Sequence, residues 1–140
     1  VCDPISQQLP SVNILLVDDD NSVREVMRQT LVAHGVQIVE ARNGAEAIAH
    51  YEDGHNHIEL VILDMVMPVM NGAEAFRRIR EINPVQPILV YSGFAQDETI
   101  KQMLGTGNCR FIRKPFRSVE LIKLVDGMLS QNMVSKNKLT

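Results

Sequence analysis

Ile14-Leu15-Leu16-Val17-Asp18-Asp19-Asp20 sets four consecutive apolar residues directly against three carboxylates. A continuous apolar run this short is the pattern of a strand buried on both faces of a parallel sheet. The acids then mark where the chain leaves the sheet. The same pattern recurs further on. Leu60-Val61-Ile62-Leu63 is apolar throughout and ends abruptly at Asp64. Ile88-Leu89-Val90-Tyr91 runs into Ser92-Gly93, and the shorter Phe111-Ile112-Arg113 runs into Lys114-Pro115. Residues 36–40 are β-branched and partly alternating, and supply a further strand.

Between these runs the period changes to that of a helix. Ser22-Val23-Arg24-Glu25 is a capping-box signature. Val23, Val26, Met27, Thr30 and Leu31 follow at i, i+3, i+4 spacing, and Gly35 closes the helix. Asn43-Gly44-Ala45-Glu46 starts a second helix that runs to about Tyr51. Asn71-Gly72 begins a third with Phe76, Ile79 and Ile82 inward, and Pro84 and Pro87 forbid its extension. Residues 97–104 form a weak fourth helix bounded by Gly105 and Gly107. Ser118 caps a fifth, with Leu121, Ile122, Val125, Met128 and Leu129 on its apolar stripe. Five βα units with right-handed crossovers predict an α/β fold, a doubly wound five-stranded parallel sheet with helices on both faces.

The chain's 140 residues suit one domain. We expect residues 1–11 to be a linker or disordered arm, 12–130 the domain, and 131–140 a C-terminal tail. An apolar content of 45% is enough for a core, and a formal charge of -3 argues against a nucleic-acid surface. Cys2 and Cys109 form neither a metal clip nor a disulfide scaffold. No apolar run approaches the roughly 20 residues that span a bilayer, and no signal peptide is visible. A soluble, cytoplasmic protein without membrane contact is expected. Beginning at Val1 rather than Met, the chain reads as a processed form or an excised piece.

Ligands of such sheets bind beyond the carboxyl ends of the strands, where the strand order changes direction. The residues just past the strands are Asp18, Asp19 and Asp20, then Asp64, then Ser92 and Gly93, then Lys114 and Pro115. Several carboxylates in one crevice fit a hard divalent cation held by oxygen ligands. Taken alone, the acidic run equally reads as a solvated turn in which Asp20 or Asn21 caps the next helix. Asp64 tips the balance, because a bare charge at the inner end of a central strand is costly and needs a partner. Lys114 is the candidate. An Asp–Lys pair with a purely structural role is the plainer alternative. The chemical reading makes Asp64 a nucleophile toward a phosphoryl group, since a carboxylate can form an acyl phosphate. Such a transfer needs mainly positioning and neutralisation of phosphoryl oxygens by metal and lysine. Ser92 adds a small hydroxyl donor, and Gly93 would let the backbone approach closely.

Leu16-Val17-Asp18-Asp19-Asp20, Asp64-Met65-Val66-Met67-Pro68 with Asn71-Gly72, Ser92-Gly93, and Lys114-Pro115-Phe116 together resemble the response-regulator receiver domain of two-component signalling, of the chemotaxis-regulator-like kind. The similarity covers about residues 13–129. It implies a flavodoxin-like strand order 2-1-3-4-5. Asp64 would accept phosphate from a phosphohistidine on a histidine kinase or histidine phosphotransfer domain. Asp18, Asp19 and Asp64, with the Val66 backbone carbonyl, would hold Mg²⁺ or Mn²⁺, Asp18 largely through water. Lys114 would pair with one phosphoryl oxygen and Ser92 with another, and Phe111 occupies the place of the family's switch aromatic. Readout to an output domain or protein would use the face of the fourth helix, fifth strand and fifth helix, with a homodimer as a further option. The domain would be a signalling switch that catalyses its own phosphorylation and dephosphorylation, not an enzyme acting on others.

There are departures from the family pattern. Phe111 lacks a hydroxyl, and Gly107-Asn108-Cys109-Arg110 replaces a Gly- and Ala-rich stretch. Val66 and Phe94, both apolar, are expected to shield the acyl phosphate from water. Three rival readings remain at this level: a haloacid-dehalogenase-type phosphatase with Asp18 as nucleophile, a flavodoxin-like mononucleotide binder, and a degenerate receiver acting only as an interaction module. The Tyr91-Ser92-Gly93-Phe94 and Arg113-Lys114-Pro115-Phe116 segments resemble the receiver of a hybrid sensor histidine kinase. A stand-alone receiver is the other option.

Overall fold

Five strands, β1 (Asn13–Val17), β2 (Gln37–Ala41), β3 (Leu60–Asp64), β4 (Ile88–Ser92) and β5 (Cys109–Arg113), pair in parallel in the order β2-β1-β3-β4-β5. They alternate with α1 (Asn21–Ala33), α2 (Gly44–Gly54), α3 (Gly72–Ile82), α4 (Glu98–Leu104) and α5 (Ser118–Leu139). This computed structural model describes residues 12–54, 57–65, 71–93 and 98–139, with 131–139 as backbone only. The doubly wound parallel sheet expected from the sequence is what forms.

Sheet order explains why some strands are uniformly apolar. β3 and β4 lie in the middle and are buried at every residue, and β1 is buried from Ile14 onward. The edge strands β2 and β5 bury one residue each and turn Glu40, Arg110 and Arg113 to solvent, as exposed edges require. β5 is longer than expected. Cys109 and Arg110 belong to it, and their mixed polarity hides an edge strand from a search for apolar runs.

Alternation divides the core between the two faces. Leu15, Val17, Val61, Leu63, Ile88 and Val90 pack under α2, α3 and α4 against Ala47, Tyr51, Phe76, Ile79 and Met103. Ile14, Leu16, Leu60, Ile62, Leu89, Tyr91 and Ile112 pack under α1 and α5 against Met27, Leu31, Leu121, Val125 and Met128. Each fully buried leucine or isoleucine contributes on the order of 1.5–3 kcal/mol relative to exposure.

Helix ends correct several local expectations. α1 is capped by Asp20, whose side chain accepts from the Ser22 and Val23 N–H groups, and not by a Ser22–Glu25 box. Glu25 instead binds Arg28 and Gln29 within its own helix. Val26, expected inward, is 61% exposed. The α1 C-terminus is a Schellman turn: Gly35 at φ +98° donates to Val32 O, and Val36 donates to Leu31 O while packing on it. Asn43 and Asn71 cap α2 and α3 as expected, accepting from the Glu46 and Glu74 N–H groups. Ser118 is the first residue of α5, preceded by Arg117, whose N–H donates to Glu120. That helix continues to Leu139, through the stretch expected as a tail.

Candidate functional site

β1 is the strand at which the winding reverses: β2 lies on one side and β3 on the other. The crevice of a doubly wound sheet therefore opens at the carboxyl ends of β1 and β3. Asp18, Asp19 and Asp64 stand there, and one ligand oxygen from each lies within 4.8 Å of the others. Asp18 and Asp64 are buried, while Asp19 is exposed.

Strand parity accounts for the convergence. Asp18 follows Leu16, Asp64 follows Ile62, Tyr91 follows Leu89 and Lys114 follows Ile112, all on the α1/α5 face. The Lys114 ammonium lies 3.1 Å from Asp64 Oδ1 and 4.7 Å from the centre of the Tyr91 ring. Among the described residues, three carboxylates gather at this rim with the Lys114 ammonium beside one of them, an arrangement that suits a hard divalent cation on oxygen ligands.

Asp20, the remaining acid of the run, is spent on the helix cap and stands outside this group. Its neighbour Asp18 is held on every side. Asp18 Oδ1 accepts from the Asp20 N–H at 2.8 Å, Oδ2 from the Tyr91 hydroxyl at 2.5 Å, and its carbonyl from Arg24 at 2.7 Å. Burial first, then the charge of Asp18 and the hydrogen bond to it, push the Tyr91 phenol far above its ordinary range, so it stays a donor. Arg24 also binds Glu40 and Asn21, tying β1, β2 and α1 together behind the acids.

Neither Tyr91 nor Arg24 was singled out by the sequence. Both left a signal. A tyrosine inside an apolar strand must place its hydroxyl somewhere, and a cation in the first turn of a helix opposes the dipole unless a partner holds it.

Among the described residues a Cβ at Gly93 would meet no atom within 4 Å, whereas one at Gly72 would lie 2.4 Å from the Asp64 carbonyl oxygen and 2.6 Å from the Met65 Cα. Gly72 is the position where bare backbone is required, because the start of α3 presses on the strand end that carries Asp64.

Ser92 and Phe111 fall on the other parity, with Val90. Ser92 is buried; Phe111 is half-buried against the core that includes Met103 of α4. The Ser92 carbonyl accepts from the Lys114 N–H at 2.8 Å, which joins the two sides. Val66, with its expected metal-ligating carbonyl, and Phe94 lie outside the described residues. No described helix is long and apolar enough to cross a membrane.

The family model of the response regulator receiver domain matches residues 14–126. Chemotaxis protein CheY of Bacillus subtilis is 31% identical over 118 residues, which cover 84% of this chain and 97% of that protein. Sensor kinase CckA of Brucella abortus is also 31% identical, over 86% of this chain but 13% of its own length. Among solved structures, chemotaxis protein CheY4 of Vibrio cholerae superposes with a TM-score of 0.77 at 28% identity, covering 84% of this chain and 98% of that one. The chain thus spans nearly all of a single-domain relative and less than a third of several larger ones. The phosphatase and mononucleotide-binder readings give way to this match, and the chain belongs to the response regulator receiver domain family of two-component signalling.

Proposed function

We propose that this receiver domain takes a phosphoryl group onto Asp64 from a phosphohistidine and changes conformation in response. The observation that carries the reading is a buried carboxylate at the winding reversal, with an ammonium 3.1 Å away and two more carboxylates alongside. In the transfer, an Asp64 oxygen attacks phosphorus, the histidine N–P bond breaks, and its electron pair leaves with the imidazole. Asp18, Asp19 and Asp64 would hold Mg²⁺ or Mn²⁺, which, when bound, neutralises charge between carboxylates and phosphoryl oxygens.

Lys114 serves the incoming group by exchanging its contact with Asp64 for one with a phosphoryl oxygen. Ser92 donates to a second oxygen, and the half-buried Phe111 on the same parity follows it, which biases the face made by α4, β5 and α5. The donor is a histidine kinase or histidine phosphotransfer domain. It must approach over the rim, where an apolar groove of about 610 Å³ lined by Val23, Val26, Met27, Phe116 and Leu121 opens beside Lys114. Output passes from the α4-β5-α5 face to a downstream domain or protein, and the switch works in the cytoplasm, free or attached to a larger kinase.

The test is incubation with labelled acetyl phosphate, with and without Mg²⁺, for wild type and Asp64→Asn. Stoichiometric, Mg²⁺-dependent labelling that is lost in Asp64→Asn is expected. Label retained by Asp64→Asn would sink the assignment.

A further inference from the structure

We propose that Tyr91 is a positioning residue of this site, its hydroxyl fixing Asp18 and its ring carrying the Lys114 ammonium. The inference rests on the reading of Asp64 as phosphoacceptor and goes beyond it, to a residue of β4 that touches neither phosphate nor metal. Tyr91 is fully buried within the α1/α5 core, where phenylalanine or leucine would satisfy packing alone. Its hydroxyl nonetheless reaches the charged rim. One proton is available, and the 2.5 Å contact with Asp18 Oδ2 takes it over the 3.2 Å approach to the Val17 carbonyl.

Because the Asp20 N–H holds Oδ1, Asp18 is fastened at both oxygens and presents one fixed orientation to a cation. A rotating carboxylate would have to be ordered when the cation binds. Outer-sphere partners of this kind commonly govern metal affinity.

The ring does a second task. Lys114 is one-third exposed and unbranched, so its ammonium needs a rest position. It finds one between the Tyr91 face, 4.7 Å from the centroid, and Asp64. Phe116 meets the same ring edge-on at 6.1 Å and 84°, which fixes its tilt. One side chain thus holds an anion by its hydroxyl and a cation by its face, and the first duty can be removed without the second.

Tyr91→Phe keeps the ring and deletes the hydroxyl; Tyr91→Leu deletes both. The full chain is titrated with Mg²⁺ in a calorimeter, and the rate of labelling by acetyl phosphate is followed against Mg²⁺ concentration. For Tyr91→Phe we expect the Mg²⁺ dissociation constant and half-saturation to rise roughly tenfold. Its plateau rate should stay within about twofold of wild type, since Lys114 keeps its support. For Tyr91→Leu the same rise should be joined by a plateau lowered roughly tenfold, because the ammonium is misplaced.

Tyr91→Met serves in place of the leucine variant if circular dichroism shows that the latter does not fold. Wild-type Mg²⁺ affinity in Tyr91→Phe overturns the hydroxyl's role, and a wild-type plateau in the ring-less variant overturns the ring's. Asp64→Asn run alongside separates the failures. If it still labels, the phosphoacceptor reading is wrong; if it is silent while Tyr91→Phe matches wild type, only the present inference falls.

Discussion

The two rims of the sheet both carry polar groups in tight quarters, and they treat charge in opposite ways. At the amino rim, before β4 and β5, Arg80 of α3 donates to the carbonyls of Gln86, Gly107 and Asn108 and to the Thr106 hydroxyl, with its guanidinium 5.0 Å from the Phe76 ring centre. Beside it the buried Tyr51 hydroxyl donates to Gln86, whose amide donates to the Pro87 carbonyl. Here one cation meets a fan of neutral oxygens. At the carboxyl rim three carboxylates meet one ammonium. A cation tied down by backbone oxygens is architecture; an excess of carboxylates at a strand-end crevice is suited to receiving a cation.

The largest expected effect comes from reducing that excess at its central residue. Asp64→Asn should lose all covalent phosphate in intact-protein mass spectrometry after acetyl phosphate treatment. Its thermal midpoint without Mg²⁺ should not fall, because relief of repulsion from Asp18 and Asp19 offsets the lost contact with Lys114. A large fall would mean that Asp64 is structural. Next in size is Gly72→Ala, whose new methyl must displace the backbone that carries Asp64. We expect a loss of about 2–3 kcal/mol in urea unfolding, together with slower phosphorylation.

Arg80→Met, at the other rim, should cost about 1 kcal/mol through the hydrogen bonds it loses to the Gln86 and Gly107 carbonyls, while Mg²⁺ affinity stays unchanged. Coupling of Arg80 to Mg²⁺ binding would break the separation of the rims. The smallest effect concerns Cys109, which opens β5 at the amino rim. Burial pushes its thiol up to about 11, and the charge of Arg80 acts against that shift. Since the thiolate is the reactive form, alkylation of folded protein at pH 8 should be slow and rise toward pH 11. It should slow further in Arg80→Met.

Legibility followed burial. β1, β3 and β4 could be read because strands enclosed on both faces leave no polar residue to interrupt them. β5 was read two residues short because an edge strand turns Arg110 outward. The start of α1 was read two ways: Ser22–Glu25 satisfies the capping template, but the alternative cap, Asp20, is the one whose side chain takes the Ser22 and Val23 N–H groups. Val26 fits an i, i+3 pattern but lies about a hundred degrees around the helix from the buried Met27 and is 61% exposed. Asp18, Asp19, Asp64 and Lys114 were legible because each lies at or just past the end of a strand, and strand ends converge by topology. Tyr91 and Arg80 were not: Tyr91 reaches Asp18 across the intervening β3, which depends on the strand order, and Arg80 binds backbone carbonyls that leave no mark in a sequence.

Alternation along β4 and β5 has a consequence for how a signal would travel. Charge gathers beneath α1 and α5, whereas Ser92 and Phe111 belong to the layer beneath α3 and α4. Under the proposed function, a message inscribed on one side of a page would be carried to the reverse. The stitch through the paper is the peptide bond of Lys114, whose N–H holds the Ser92 carbonyl while its side chain reaches for Asp64.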